Sequence, residues 1–129
     1  MDIVITLPRI LIYKIKKGSK KVEIRKSFPK EFDFEEDCVF VVEKGTKNVV
    51  MSFDVIKVST ADNPALAWDY CGSQMGIPYE WLREYATPGK ELYIWHIGDV
   101  HEFAKPFPLE ETFFIKRAPQ SYCYVRRYL

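Results

Sequence analysis

The run Glu91-Leu92-Tyr93-Ile94-Trp95-His96-Ile97-Gly98-Asp99-Val100-His101-Glu102-Phe103 decides the fold of this chain. It alternates as a strand does, with Tyr93, Trp95 and Ile97 on one face and Leu92, Ile94 and His96 on the other. It is also far longer than the usual strand of roughly five or six residues. Gly98 interrupts it, and a glycine inside a strand marks a bulge or a close backbone approach. A long strand that bends at a glycine curls a sheet toward a small barrel, not toward a doubly wound parallel sheet. Beyond it, Pro106 and Pro108 are expected to force a loop.

Working outward, the apolar run Cys38–Glu43, the turn Lys44-Gly45-Thr46-Lys47-Asn48 and the strand Val49–Val58 form a hairpin. Asn63-Pro64 starts a helix, with Asn63 as N-cap, that runs to about Cys71 and stops at Gly72. Pro78 opens another, with Trp81, Leu82 and Tyr85 on one face, and Thr87-Pro88-Gly89 ends it. At the start of the chain Asp2–Thr6 is a short strand. Pro8 then stands at N1 of a helix whose Leu11, Ile12 and Ile15 share a face, and Gly18 stops it. Lys21–Lys26 is a strand with Val22 and Ile24 pointing one way and Lys21, Glu23 and Arg25 the other. Ser27–Asp37 is a polar and aromatic loop, and Ser121–Tyr128 closes the sheet. The sum is one small α+β domain, residues 1–129, with a mixed or barrel-like sheet and three short flanking helices.

Composition bounds the function. The chain has 129 residues, 47% hydrophobic and 29% charged, which suits a single globular domain. No apolar run approaches ~18 residues, so no membrane helix is expected, and the first residues do not read as a signal peptide. Cys38, Cys71 and Cys123 are an odd number at wide spacing, which points to reduced thiols in a cytoplasmic protein and not to a disulfide framework. The net charge is +1, yet Lys14–Lys30 carries eight bases against the single acid Glu23. A second basic tract holds Lys116, Arg117, Arg126 and Arg127. Two such tracts make one positive face if the fold brings them together. No Walker, GxGxxG or GxSxG motif is present.

The chemistry-bearing stretch is Gly18-Ser19-Lys20-Lys21-Val22-Glu23-Ile24-Arg25. A Glu23 that faced the interior would need a cationic partner, and Arg25 lies on its face of the strand. A carboxylate beside a guanidinium can accept from an amino or imino edge and donate to a phosphate. The plainer alternative is a surface ion pair. His96 and His101 lack the company of a metal site and read as structural or surface histidines, so neither metal nor cofactor is expected. Trp68 and Trp81 read as core or helix-packing residues, and Trp95 as core or a stacking platform, with core favoured because strand aromatics usually pack. Tyr122, Tyr124 and Tyr128 interleave with Arg126 and Arg127. That pattern can stack bases, although half-buried strand tyrosines explain it as well.

Gly18-x-Lys20-x-x-Glu23-x-Arg25 resembles the GxKxxExR signature of the ASCH domains, a branch of the PUA-like superfamily. The likeness extends to the hairpin around Val42–Val50, to Leu92–Ile97 with Phe103-Ala104-Lys105-Pro106, and to Pro119-Gln120-Ser121-Tyr122. The last resembles a segment of an ASCH subgroup often labelled a predicted transcriptional regulator. The resemblance implies a PUA-like β-barrel with flanking short helices and a cleft lined by Gly18, Lys20, Glu23 and Arg25, which Gln120, Ser121 and Tyr122 approach. It implies a partner that is RNA, single-stranded first, or a modified nucleoside. A related enzymatic branch, the N4-acetylcytidine amidohydrolases, is similar at the glycine, lysine and arginine but has threonine where this chain has Glu23. In a hydrolase, Lys20 and Glu23 would carry the proton transfers, with Glu23 acting as a base on water. Three functions therefore stand: an RNA- or nucleobase-binding module, an amidohydrolase of an N-acylated nucleoside, and a protein-interaction domain with a vestigial cleft.

Overall fold

Strand β1 (Asp2–Leu7) sends Ile3, Ile5 and Leu7 to one side of the sheet and Val4 to the other, and all four are buried. A strand covered on both faces needs apolar residues at successive positions, which is why its alternation is so weak in sequence. The chain, a computed structural model that describes residues 1–126, builds a six-stranded mixed sheet around this strand in the order β2-β5-β4-β3-β1-β6. The other strands are β2 (Val22–Arg25), β3 (Val39–Glu43), β4 (Asn48–Ala61), β5 (Leu92–Pro108) and β6 (Tyr122–Val125). β1 pairs with β3 in parallel, and the remaining pairs are antiparallel.

The two outermost strands, β2 and β6, come back toward each other. Arg25 Nη1 donates to the Ser121 carbonyl at 3.1 Å, just before β6 begins. The sheet is thus curled into a barrel whose last seam is bridged by a side chain. Ile3, Ile5, Val39, Val41, Met51, Phe53 and Trp95 fill its interior, with Ile12 and Ile15 of helix α1 (Arg9–Lys17) plugging one side. A second apolar cluster lies outside the sheet under α2 (Pro64–Cys71) and α3 (Tyr79–Tyr85). A third lies under α4 (Leu109–Phe113), where Phe40 meets Phe113 with ring centroids 4.9 Å apart.

Most local signals act as the sequence suggests. Asn63 caps α2 by accepting from the Leu66 N–H at 2.9 Å, with Pro64 in the first turn. Gly18 ends α1 at φ 82°, a left-handed conformation that costs other residues energy. Pro8 stands one place earlier than expected, as the N-cap of α1. At Gly98 the register of β5 against β4 shifts, and an added Cβ there would come within 2.9 Å of Ile56.

Two expectations need correction. Pro106 and Pro108 do not break β5, which runs on to Pro108. β2 covers only Tyr93–His96 of that strand, so beyond them β5 has one paired edge and a missing proline N–H can fall on the open one. The chain does bulge there, with Phe107 to Glu102 set against Val49 to Met51. Helix α4 follows directly and adds a fourth to the three helices expected from sequence.

Candidate functional site

Strand alternation builds the site. On β2, Val22 and Ile24 enter the cluster under α2 and α3. Glu23 and Arg25 therefore turn to the other face, where Glu23 lies directly across from Trp95. Trp95 belongs to the interior core, and its indole N–H donates to the Ser27 carbonyl at 3.2 Å. Arg25 lies over the Trp95 ring at 5.8 Å. The turn at Gly18 lets the chain pass from α1 into β2 in a few residues, which points the Lys20 side chain inward.

Lys20 is 2% exposed. A buried ammonium is costly unless it is paired and hydrogen-bonded, and its Nζ reaches three oxygens: Val22 O at 2.8 Å, Met75 O at 2.6 Å and Glu23 Oε1 at 3.1 Å. Glu23, 5% exposed, receives Arg25 on its other oxygen, Nε at 2.9 Å and Nη2 at 2.8 Å. Burial by itself would raise the Glu23 pKa, but the charges and hydrogen bonds of Lys20 and Arg25 outweigh it and hold the carboxyl below its ordinary range. The floor of the site is thus two cations on one ionised carboxylate, with one net positive charge.

Above this floor opens a cleft of about 530 Å³, within the range of small-molecule and cofactor sites. Lys20, Glu23 and Arg25 lie at its base, Leu11, Ile24 and Ile77 form apolar walls, and Lys26, Ser27, Gln120 and Ser121 bring polar groups to the rim. Trp81 and Tyr85 of α3 complete the lip. Burial raises the Tyr85 phenol above its ordinary pKa, so it remains a neutral O–H. The Lys26 ammonium sits 4.7 Å from the Tyr85 ring centre.

The structure gathers Lys20, Glu23, Arg25, Gln120 and Ser121 at this cleft. Gly18 shapes the approach without lining it. Tyr122 does not line it either: on β6 it pairs with Ile5, so its ring turns to the barrel interior and packs edge-on against Tyr124. Of the second basic tract, Arg126 does not join the first. Arg126 lies at the far end of β6 beside Asp2, Glu36 and Asp37, and Arg127 and Tyr128 fall outside the described residues.

Trp81 does not take the core place that its apolar character suggests. It is 58% exposed, while Leu82 is fully buried. Neighbouring helix positions point roughly 100° apart, so burying Leu82 turns Trp81 and Tyr85, four apart, out together toward the cleft. The i,i+4 spacing of these aromatics is the signal that sequence offers. Trp68, by contrast, does pack, edge-on against Tyr79. On the outer side of the sheet, His96 Nε2 lies 3.1 Å from Ser59 Oγ. Among the described residues no His, Cys, Asp and Glu group is placed to hold a metal ion, and no helix is long and apolar enough to cross a membrane.

Comparison of the whole chain with solved structures gives a consistent set of neighbours. The ASCH protein of Zymomonas mobilis superposes with a TM-score of 0.81 at 20% identity, over 97% of this chain and 87% of that one. A serine-to-alanine mutant of the same protein gives 0.81 at 19%, over 97% and 88%. A tyrosine-to-phenylalanine mutant gives 0.79 at 21%, over 97% and 90%. The fold is the ASCH fold. The chain matches no protein-family model, and no curated protein matches it in sequence. At these identities the ASCH likeness speaks to architecture, which is compatible with nucleic-acid or nucleoside binding, and not to activity.

Proposed function

We propose that this domain is a cytoplasmic binding module for single-stranded RNA or a modified nucleoside, with one base held over the Glu23–Arg25 floor. The observation that carries the reading is the shielded Lys20–Glu23–Arg25 ion-paired group at the base of a cleft with apolar walls and a polar rim. Such a floor is preorganised: its charges are fixed by the protein and need no rearrangement to meet the polar edge of a base. Arg25 keeps N–H groups beyond those given to Glu23 and Ser121, since a guanidinium carries five. Its net positive charge, with Lys26 beside it, suits a phosphate-bearing ligand. A module of this kind fits a role in RNA metabolism or transcription regulation, and the three free cysteines suit a reducing compartment.

The same geometry weighs against turnover. A hydrolase would ask Lys20 or Glu23 to move protons. The three N–H groups of Lys20 already have three acceptors, and a carboxyl held below its ordinary pKa is a weak base.

Fluorescence anisotropy of a labelled single-stranded RNA, at low and moderate salt, tests the reading. Saturable binding that weakens with salt is expected, because each phosphate contact releases counterions. Arg25→Ala should cost about 1–3 kcal/mol of binding if the guanidinium contacts the base. Lys26→Ala should weaken binding across sequences and flatten the salt slope. Failure of the wild-type protein to bind either RNA or nucleosides at low salt overturns the proposal.

A further inference from the structure

The cleft has two chemically different parts. Its floor is charged and shielded, with Glu23 5% exposed and the Arg25 side chain 14% exposed. Its lip is aromatic and open, with Trp81 58% and Tyr85 39% exposed. A base fixed over the floor by hydrogen bonds has no reason to cover the Trp81 ring. Trp81 and Tyr85 put two exposed rings together at the cleft mouth, and an exposed indole is a sequence-tolerant platform for a stacked base.

Spacing sets what can cover it. Tyr85 is close enough to Glu23 and Arg25 for both charges to act on its phenol, and it carries the Lys26 ammonium on its ring. Trp81 stands one turn earlier on the same face of α3, about 6 Å along the helix axis. A base held edge-on at the floor beside Tyr85 is not placed to cover the Trp81 ring as well. Two neighbouring bases splayed apart can fill both places, as single-strand recognition commonly requires. Lys26 then lies beside the junction, where the phosphate linking two nucleotides would pass.

Building on the binding reading above, we infer that Trp81 forms a second subsite, so that the ligand is a strand of at least two nucleotides and not a free nucleoside. The floor takes one base, the Trp81 ring stacks the adjacent one, and Lys26 meets the phosphate between them.

Isothermal titration of the full chain with a nucleoside monophosphate, a dinucleotide and a tetranucleotide of the same base tests this directly. The dinucleotide should bind at least tenfold more tightly than the mononucleotide, with little further gain at four. In Trp81→Ala the mononucleotide affinity should stay within about twofold of wild type while the dinucleotide advantage disappears. Trp81→Phe should keep most of that advantage, and thermal melts of both variants should match wild type because the side chain is exposed. Equal affinity for one and two nucleotides overturns the second subsite, as does an equal loss for both in Trp81→Ala. Binding of none of the three ligands would instead remove the underlying reading of the cleft.

Discussion

At the cleft, Lys20, Glu23 and Arg25 form ion pairs with side chains only 1%, 6% and 14% exposed. Where α1 begins, Arg9 reaches Glu43 at the end of β3 over 3.3 Å, with 85% of its side chain in water. Both regions bring carboxylate and cation together, and the contact distances differ by only a few tenths of an ångström. The difference lies in what surrounds them. Around Arg9 water competes for the guanidinium, so the pair can open at little cost even though the Glu43 side chain is only 19% exposed. The Lys20 side chain is only 1% exposed, so solvent has little access to replace Val22 O, Met75 O or Glu23, and each partner is needed by the others. The buried group costs desolvation to form and in return fixes a polar surface that the exposed pair could not hold in place.

The sharpest way to break this comparison is to remove Lys20. Lys20→Met leaves the carbonyls of Val22 and Met75 without a donor and Glu23 with Arg25 alone. A loss of about 3–5 kcal/mol is expected, the usual cost of breaking a buried pair from one side. Urea unfolding measures it. Lys20→Met/Glu23→Gln, which removes both charges, should recover part of that loss. A double variant less stable than Lys20→Met would mean that Glu23 is adequately paired by Arg25 alone.

Only part of the buried group is legible in the amino-acid sequence. Strand alternation alone places Glu23 and Arg25 on the same face, and Gly18 announces the turn ahead of them. Those are properties of neighbouring residues. The burial of Lys20 depends on Met75, 55 positions away, and no local pattern encodes such a partner. Trp81 and Leu82 are both large and apolar, so sequence does not say which of two adjacent helix positions faces inward. The packing of α3 decides it by burying Leu82. The extent of β5 is hidden for a related reason: a proline breaks a strand only where its missing N–H is needed, and that depends on which edge β2 covers. Tyr122 adjoins Gln120 and Ser121 in the chain but does not share their place at the cleft. Once β6 begins, consecutive side chains point to opposite faces, and Tyr122 turns to the core.

Acid sharpens the contrast next. Glu23 has a folded pKa below its ordinary value of 4.5, so as pH falls the unfolded chain takes up this proton before the folded chain does. Its contribution to stability is therefore complete above the ordinary carboxylate range and is lost as pH drops from there through the lowered folded pKa. Other carboxyls titrate too, so the informative quantity is the difference between wild type and Lys20→Met/Glu23→Gln. Unfolding measured from pH 7 to pH 3 should show wild type losing stability faster than the double variant below about pH 4.5. Parallel loss in both would mean that Glu23 is not held ionised by its neighbours.

The smallest effect is expected at the exposed pair. Arg9→Ala removes two long contacts to Glu43, Nε at 3.3 Å and Nη2 at 3.4 Å, but frees a flexible side chain that is already largely in water. The change should stay within about 1 kcal/mol and shrink further in high salt, where surface pairs are screened. A double-mutant cycle with Glu43→Ala isolates the coupling from any effect of Arg9 on the first turn of α1. If that coupling approached the loss seen for Lys20→Met, burial would not be what separates the two regions. The cleft would then owe its rigidity to the barrel seam that Arg25 closes on Ser121, and not to the shielding of its charges.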